Sequence, residues 1–364
     1  MKVVLTVIAA IALARAALGQ QPTSSVLTVV RAEFAGWDRD RDGKLTVAEV
    51  DLAVLDPTVR GARAAALAVI KAIERRNSDG ERATPPLTLA DLAQYEAERN
   101  AGESDDDDYE EWFDHYRRKL DATSRELFPQ SEPRVLRIKQ GDLGDCFCLA
   151  VIASAVHRDP TAFARGISRN ADGTYTVRFG GHADVVITAP TDTEIAINSS
   201  ARENGLWLTV YEKACGTVAN RFTPPGKRTV EPTDSIAYGG LASDVIALVT
   251  GHACQSVERT DGELAQALAA GTRGRHLMYT TLRRDIDEPA GLISGHVYAV
   301  LAYDSVARRV TVFDPRGHDH RPTGDVGVEH GFPTRDGVLE VSLDDFVRVF
   351  DGVGIEDRDT PAAK

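Results

Sequence analysis

The chain has little of several things, and each shortage removes a class of protein. Only four cysteines occur in 364 residues, at 146, 148, 215 and 254, and none forms a Cys-x-x-Cys pair. That argues against a zinc module and against a disulfide scaffold. Basic residues are outnumbered, 42 Lys and Arg against 55 Asp and Glu, for a net charge of −13 and a pI of about 5.2. Such a surface is a poor partner for nucleic acid or for an anionic membrane. Beyond the first twenty positions no apolar run approaches the ~20 residues that a bilayer span needs. What remains is a length with room for two or three domains and a sizeable core.

The N-terminal stretch has the look of a targeting segment. Lys2 precedes an apolar run over 3–14, followed by the small residues Ala16, Ala17 and Gly19. This predicts a signal peptide over 1–19 with cleavage near Gly19 and Gln20, and hence export, with a cytoplasmic location as the alternative. Arg15 is an awkward charge in that pattern. No cysteine follows the apolar run, so a lipid anchor has no attachment point there.

Residues 23–100 read as a helical unit. Asp38-Arg-Asp40-Arg-Asp42-Gly43-Lys44-Leu45-Thr46-Val-Ala-Glu49 fits the twelve-position EF-hand loop. Asp38, Asp40, Asp42 and Glu49 supply side-chain oxygens for Ca2+, Lys44 its backbone carbonyl, and Gly43 the sharp turn. The competing reading is a solvated acidic turn. Apolar residues over 26–37 recur at helical spacing, as an entering helix should. Leu45-Thr-Val-Ala-Glu-Val is echoed by Leu87-Thr-Leu-Ala-Asp-Leu, which predicts a paired second hand. Its ligands are poor: Asn77, Asp79 and Gly80 lie too far from Leu87, and Asp91 is shorter than the glutamate it replaces. The acidic run over 103–111 repels itself and reads as a linker or helix start within 101–130.

The most informative stretch is Gln140-Gly-Asp-Leu-Gly-Asp-Cys146-Phe-Cys-Leu-Ala. A thiol in the first turn of a helix sits at the positive end of the helix dipole, which favours thiolate. Gln140 and the backbone N–H of Cys146 are suited to binding a developing oxyanion. Downstream, Gly291-Leu-Ile-Ser-Gly-His296-Val-Tyr places a histidine at the mouth of a strand, and Phe313-Asp314-Pro-Arg-Gly places a carboxylate in the turn after the next strand. Taken singly, Cys146 reads as a small core residue and His296 as a structural histidine. Cys148 points to the opposite helix face and reads as core. Cys215 and Cys254 read as core too, with a bridge between them left open.

Those three segments resemble the active-site segments of the calpain family of cysteine proteases. The stretches from Trp207 (Trp-Leu-Thr-Val-Tyr-Glu-Lys-Ala) and Val341 (Val-Ser-Leu-Asp-Asp-Phe) resemble that family's intervening helix and core end, so the likeness covers about 131–356. It implies an α+β, papain-like two-lobed core. A helical lobe would carry Cys146 and an antiparallel β lobe His296 and Asp314, behind an all-α EF-hand pair. Helices are expected over 146–158, 207–218 and 344–350. A hairpin is expected over 174–188, and strands over 275–282, 296–303 and 309–313. The implied activity is endopeptidase cleavage of protein or peptide substrates, with Cys146 as nucleophile, His296 as base and acid, Asp314 as orienter and Gln140 at the oxyanion. No cofactor is implied for the chemistry.

The sequence departs from the family in places. Asp314 stands for the usual Asn, Phe147 for a Trp after the cysteine, and Arg316 for a Trp that shields the triad. Arg316 is also a potential partner that would draw Asp314 away from the histidine. Where family members bind two core calcium ions, this chain has Arg137, Gly205 and His320, so the core is expected to align without calcium. Two alternatives stand beside the leading reading: a catalytically impaired core kept as a calcium-linked peptide-binding module, and transglutaminase-type acyl transfer. The Gln-Gly-x-Leu-Gly-Asp-Cys segment argues against the second.

Overall fold

The structure, a computed structural model, describes residues 25–77, 86–101, 109–130 and 132–363. The expected signal peptide, Asp79, Gly80 and most of the acidic run lie outside the described residues.

The N-terminal unit is helical. Helix α1 (Val26–Trp37) leads into the 38–49 loop, β1 (Lys44–Leu45) and α2 (Val47–Val54). Thr46 and Glu49 start α2 with a reciprocal capping box, which satisfies two otherwise orphaned amides. Then come α3 (Ala62–Asn77), β2 (Leu87–Thr88), α4 (Leu89–Ala101) and α5 (Tyr109–Ala122). Strand β1 pairs antiparallel with β2, with Leu45 opposite Leu87. Asp91 accepts hydrogen bonds from the Thr88 amide at 2.8 Å and hydroxyl at 2.7 Å, so it serves as a helix-start cap.

Helix α6 (Cys146–Arg158) is buried at every position from Cys146 to Val156, as an apolar helix without a polar face must be. Behind it lie α7 (Pro160–Arg165), a three-stranded antiparallel sheet, and α8 (Asp192–Ile197). The sheet consists of β3 (Ile167–Arg169), β4 (Tyr175–Phe179) and β5 (His182–Ile187). Next is α9 (Trp207–Phe222), which runs one turn past its expected end.

The second half builds a seven-stranded, wholly antiparallel sheet in the order β10-β11-β9-β8-β7-β12-β6. Its strands are β6 (His252–Val257), β7 (Met278–Thr281), β8 (Val297–Asp304), β9 (Arg309–Phe313), β10 (Thr334–Arg335), β11 (Val338–Ser342) and β12 (Val353–Pro361). Helices α10 (Ala242–Thr250), α11 (Asp261–Gly274) and α12 (Leu343–Val349) accompany it. Strand β7 starts three residues later than expected because Arg275, in left-handed conformation at φ 52°, ends α11 there.

One apolar core runs unbroken from Val26 in α1 through α3, α5, α6 and α9 to Phe313 in β9. A second fills the space among β7, β8, β9, β11, α11 and α12. All four cysteines are free thiols; Cys148 faces Cys215, so the pairing of Cys215 with Cys254 is not made.

Leu149 is fully buried in α6. Leu149→Ala is expected to cost about 2–5 kcal/mol by the lost burial and the cavity left behind. Urea unfolding should show a lower midpoint with an unchanged slope.

Candidate active site

The segment that leads into α6 is fixed by close backbone approaches. A Cβ on Gly141 would lie 2.3 Å from the Ile197 carbonyl oxygen, and one on Gly144 2.6 Å from that of Ala237. Only glycine fits at either position. The gain is two tight hydrogen bonds: Asp142 N–H donates to Ile197 O at 2.9 Å and Gly144 N–H to Ala237 O at 2.7 Å. From the opposite side, Gln140 N–H donates to Pro315 O at 2.9 Å, and the Lys139 ammonium donates to Gly317 O. The Cys146 segment is thereby tied to the turn that carries Asp314.

Cys146 occupies the first position of α6, with its side chain on a cleft of about 760 Å³. The cleft is also lined by Gln140, His296 and Arg316 and, from the N-terminal unit, by Ala72, Trp112 and His115. His296, one residue before β8, donates through Nε2 to Asp314 Oδ1 at 2.8 Å. Its ring shares the cleft with the Cys146 thiol, near enough for each group to shift the other's titration. With Nε2 held by Asp314, Nδ1 is the nitrogen left for sulfur. Tyr298 stands edge-on to the imidazole, centroids 4.9 Å apart, and limits its rotation.

The electrostatics follow from these contacts. Burial pushes the Cys146 thiol up, but the neighbouring His296 outweighs it and leaves the thiol below its ordinary value. Burial pulls His296 down, while Asp314 and the thiol raise it to about 9. Burial would raise Asp314, yet His296, His318 and the Arg316 amide hold it well below the usual carboxylate range. The directions are those of a thiolate–imidazolium pair steadied by a carboxylate.

Asp314 is fully buried. Besides His296 it accepts from the Arg316 backbone N–H at 2.8 Å, and His318 Nδ1 lies 3.2 Å from Oδ2. The exposed Arg316 side chain lines the cleft and Asp314 stays on His296, so the arginine that could have drawn Asp314 away does not do so. His318 was not singled out from the sequence; its spacing of four from Asp314 is the one signal that pointed to it.

Gln140 departs from its expected posture. Its amide Nε2 donates to Leu143 O at 2.7 Å, with Asp145 Oδ1 at 3.5 Å. One amide hydrogen is thus committed to the turn, and only the second, weakly held one remains for an oxyanion. Asp145, the cap residue before Cys146, is fully buried beside the fully buried Glu212, and burial with that neighbour raises Asp145 well above its ordinary value.

The 38–49 loop clusters carboxylate oxygens of Asp38, Asp40 and Glu49 within 4.8 Å of one another. Gly43 has φ 84°, as the turn demands. The Asp38 and Glu49 oxygens are held in place by the Gly43 and Arg39 amides at 2.9 and 2.8 Å. Asp42 Oδ1 accepts from the Lys44 amide at 2.9 Å. Converging, hard, anionic oxygens of this kind fit a calcium ion. Of the other positions weighed for calcium, Arg137 pairs with Glu203 at 3.0 Å, Gly205 has φ 105°, and His320 bridges to Thr334.

A model of the calpain family cysteine protease matches residues 103–319, a span that includes Cys146, His296 and Asp314. The chain belongs to that family. Calpain-family membership makes it a cysteine-type peptidase acting on proteins, and the helices and antiparallel sheets fit the papain-like α+β fold of such a domain. No curated protein matches the chain. No helix among the described residues is long and apolar enough to cross a membrane.

The raised His296 makes a checkable claim. A histidine lifted from 6.5 to about 9 contributes stability that is fully present below pH 6.5 and lost as pH rises through 9. In Asp314→Asn the anchoring charge is gone, so NMR titration of the His296 ring should show its midpoint fall by at least one unit.

Proposed function

We propose that the protein is a thiol endopeptidase that cleaves peptide bonds with Cys146, His296 and Asp314. The observation that carries this reading is a single imidazole hydrogen-bonded to a carboxylate at 2.8 Å and set beside a helix-start thiol on the wall of one cleft. Cys146 attacks the substrate carbonyl as thiolate and forms a C–S bond. The carbonyl electrons move to oxygen, where the Cys146 backbone N–H at the start of α6 and the free hydrogen of Gln140 receive them. Collapse of the tetrahedral species breaks the C–N bond. His296 gives its proton to the leaving amine, then takes one from water as that water attacks the thioester; the C–S bond breaks, the carboxylic acid product departs and the thiolate and imidazolium are restored. Asp314 keeps Nε2 occupied, so Nδ1 faces sulfur throughout.

The N-terminal loop is read as a calcium site in which Asp38, Asp40, Asp42 and Glu49 give side-chain oxygens and Lys44 its carbonyl. Calcium there neutralises clustered carboxylates and braces the unit; it takes no part in bond cleavage. The 77–91 half, with Leu87 paired to Leu45, is read as a partner of little metal affinity. Export rests on the N-terminal sequence pattern described above.

Cys146→Ala should lower casein cleavage by at least about 10³-fold, since the nucleophile itself is lost; retained turnover would end the proposal. Titration calorimetry of the full chain should find one calcium site, and Glu49→Gln should weaken it at least about tenfold by removing a ligand charge. Chelator should lower the melting temperature of the wild type and leave that of Glu49→Gln nearly unchanged.

A further inference from the structure

Two cations of helix α3 are buried against the protease lobe. Lys71, fully buried, has its ammonium 2.6 Å from Asp51, 3.0 Å from Glu74 and 2.7 Å from Asp234. Those three carboxylates converge as a metal site would, and the ammonium fills the place of the cation. Arg75, one turn on, bonds Asp234 through Nε at 2.9 Å and reaches Glu231 through Nη2 at 3.3 Å. Asp234 thus takes a cation on each oxygen, both from the N-terminal unit.

Asp234 lies in the short turn over 232–236 that precedes the cleft wall. Ala237 N–H donates to Asp234 O at 3.2 Å. Ala237 O in turn holds Gly144 N–H at 2.7 Å, two residues from Cys146. Ala237, Tyr238 and Gly239 line the cleft, and Gly240 rests against the ring of Phe147, the residue after the thiol. The path from Lys71 to Cys146 is therefore a continuous run of contacts: ammonium, carboxylate, turn, carbonyl, glycine amide, helix start. A buried charge left without its partner is costly, so Asp234 stays where Lys71 and Arg75 put it.

We propose that Lys71 and Arg75 are positioning residues for Cys146: by gripping Asp234 they fix the 232–240 segment that sets the nucleophile turn and one wall of the cleft. This rests on the proteolytic reading above. It makes the N-terminal helical unit part of the working protease, independently of whether its loop holds calcium. The two cations touch neither sulfur nor substrate; they act through Asp234 and Ala237.

The test uses the full chain and a peptide vinyl sulfone, which captures Cys146 covalently. Inactivation kinetics separate reversible binding from bond formation. Asp234→Asn keeps the shape and removes the charge that both cations hold. It should slow bond formation at least tenfold at temperatures where circular dichroism shows the variant folded. Arg75→Lys keeps the charge but loses the two-pronged grip. It should slow the same step about threefold and carries the test if Asp234→Asn does not fold. A merely structural role would lower the melting temperature and leave the bond-forming step of the folded variant within twofold of wild type, and that result would overturn the proposal. Wild type reacting no faster than free cysteine would overturn the proteolytic reading instead, and the positioning role with it.

Discussion

Asp314 is a fully buried carboxylate with an imidazole on Oδ1, a second imidazole near Oδ2 and a backbone amide from its own turn. A buried charge of this kind is tolerated only with such partners, and the partners are then fixed in place by the same force. It holds one face of His296, so the other face has a set direction. It sits at the end of β9, beside the Pro315 carbonyl that Gln140 grips. The alignment of sulfur and ring therefore depends on one loop being held at both ends, by a sheet behind and by the Gln140 segment in front.

That front segment is in turn a product of crowding. Gly141 and Gly144 let the chain run against two other backbones with no room for a side chain. The partners they touch come from α8 and from the turn after Asp234, and both of these lean on the N-terminal helices. Thr191, the cap of α8, donates to Val54 O at 2.6 Å, and Lys119 of α5 donates to Ala196 O at 2.7 Å. The helical unit and the protease lobe share an apolar core, so an ion cluster and several caps at their boundary sit in a dry, low-dielectric setting where polar contacts are strong.

Much of this was legible in the sequence where chemistry leaves local marks. Gly-rich spacing before Cys146, a histidine ahead of an alternating strand and an Asp-Pro turn are short-range signals, and α1 and β9 follow their apolar periodicity to the residue. The Leu45 and Leu87 echo is likewise a local signal for a pairing 42 positions apart. Lys71 left a fainter trace: a charge inside Ala-Leu-Ala-Val-Ile-Lys-Ala-Ile, too apolar a stretch for a solvated lysine. Its partner Asp234 lies 163 positions away, and no periodicity links the two. The posture of Gln140 was hidden for a similar reason, since it depends on a carbonyl turned inward by the very loop it belongs to. Strands β6 and β12 went unread because β6 is half-exposed and mixed in pattern, and β12 ends in five charged or polar residues before Pro361.

The sheet order carries a consequence for how the molecule is made. Strand β12 lies between β7 and β6, pairing Ile355 with Met278 on one side and with Gln255 on the other. During synthesis β6 emerges about a hundred residues before the neighbour it must join, and loop closure over such a separation is slow. Until β12 is in place, β6 has no partner strand in the sheet. The ring of His296 rests against Tyr298, which packs on Phe350 just ahead of that late strand. A chain interrupted before residue 353 lacks the strand that joins β6 to β7, so the sheet behind His296 is completed only by the last stretch to be made.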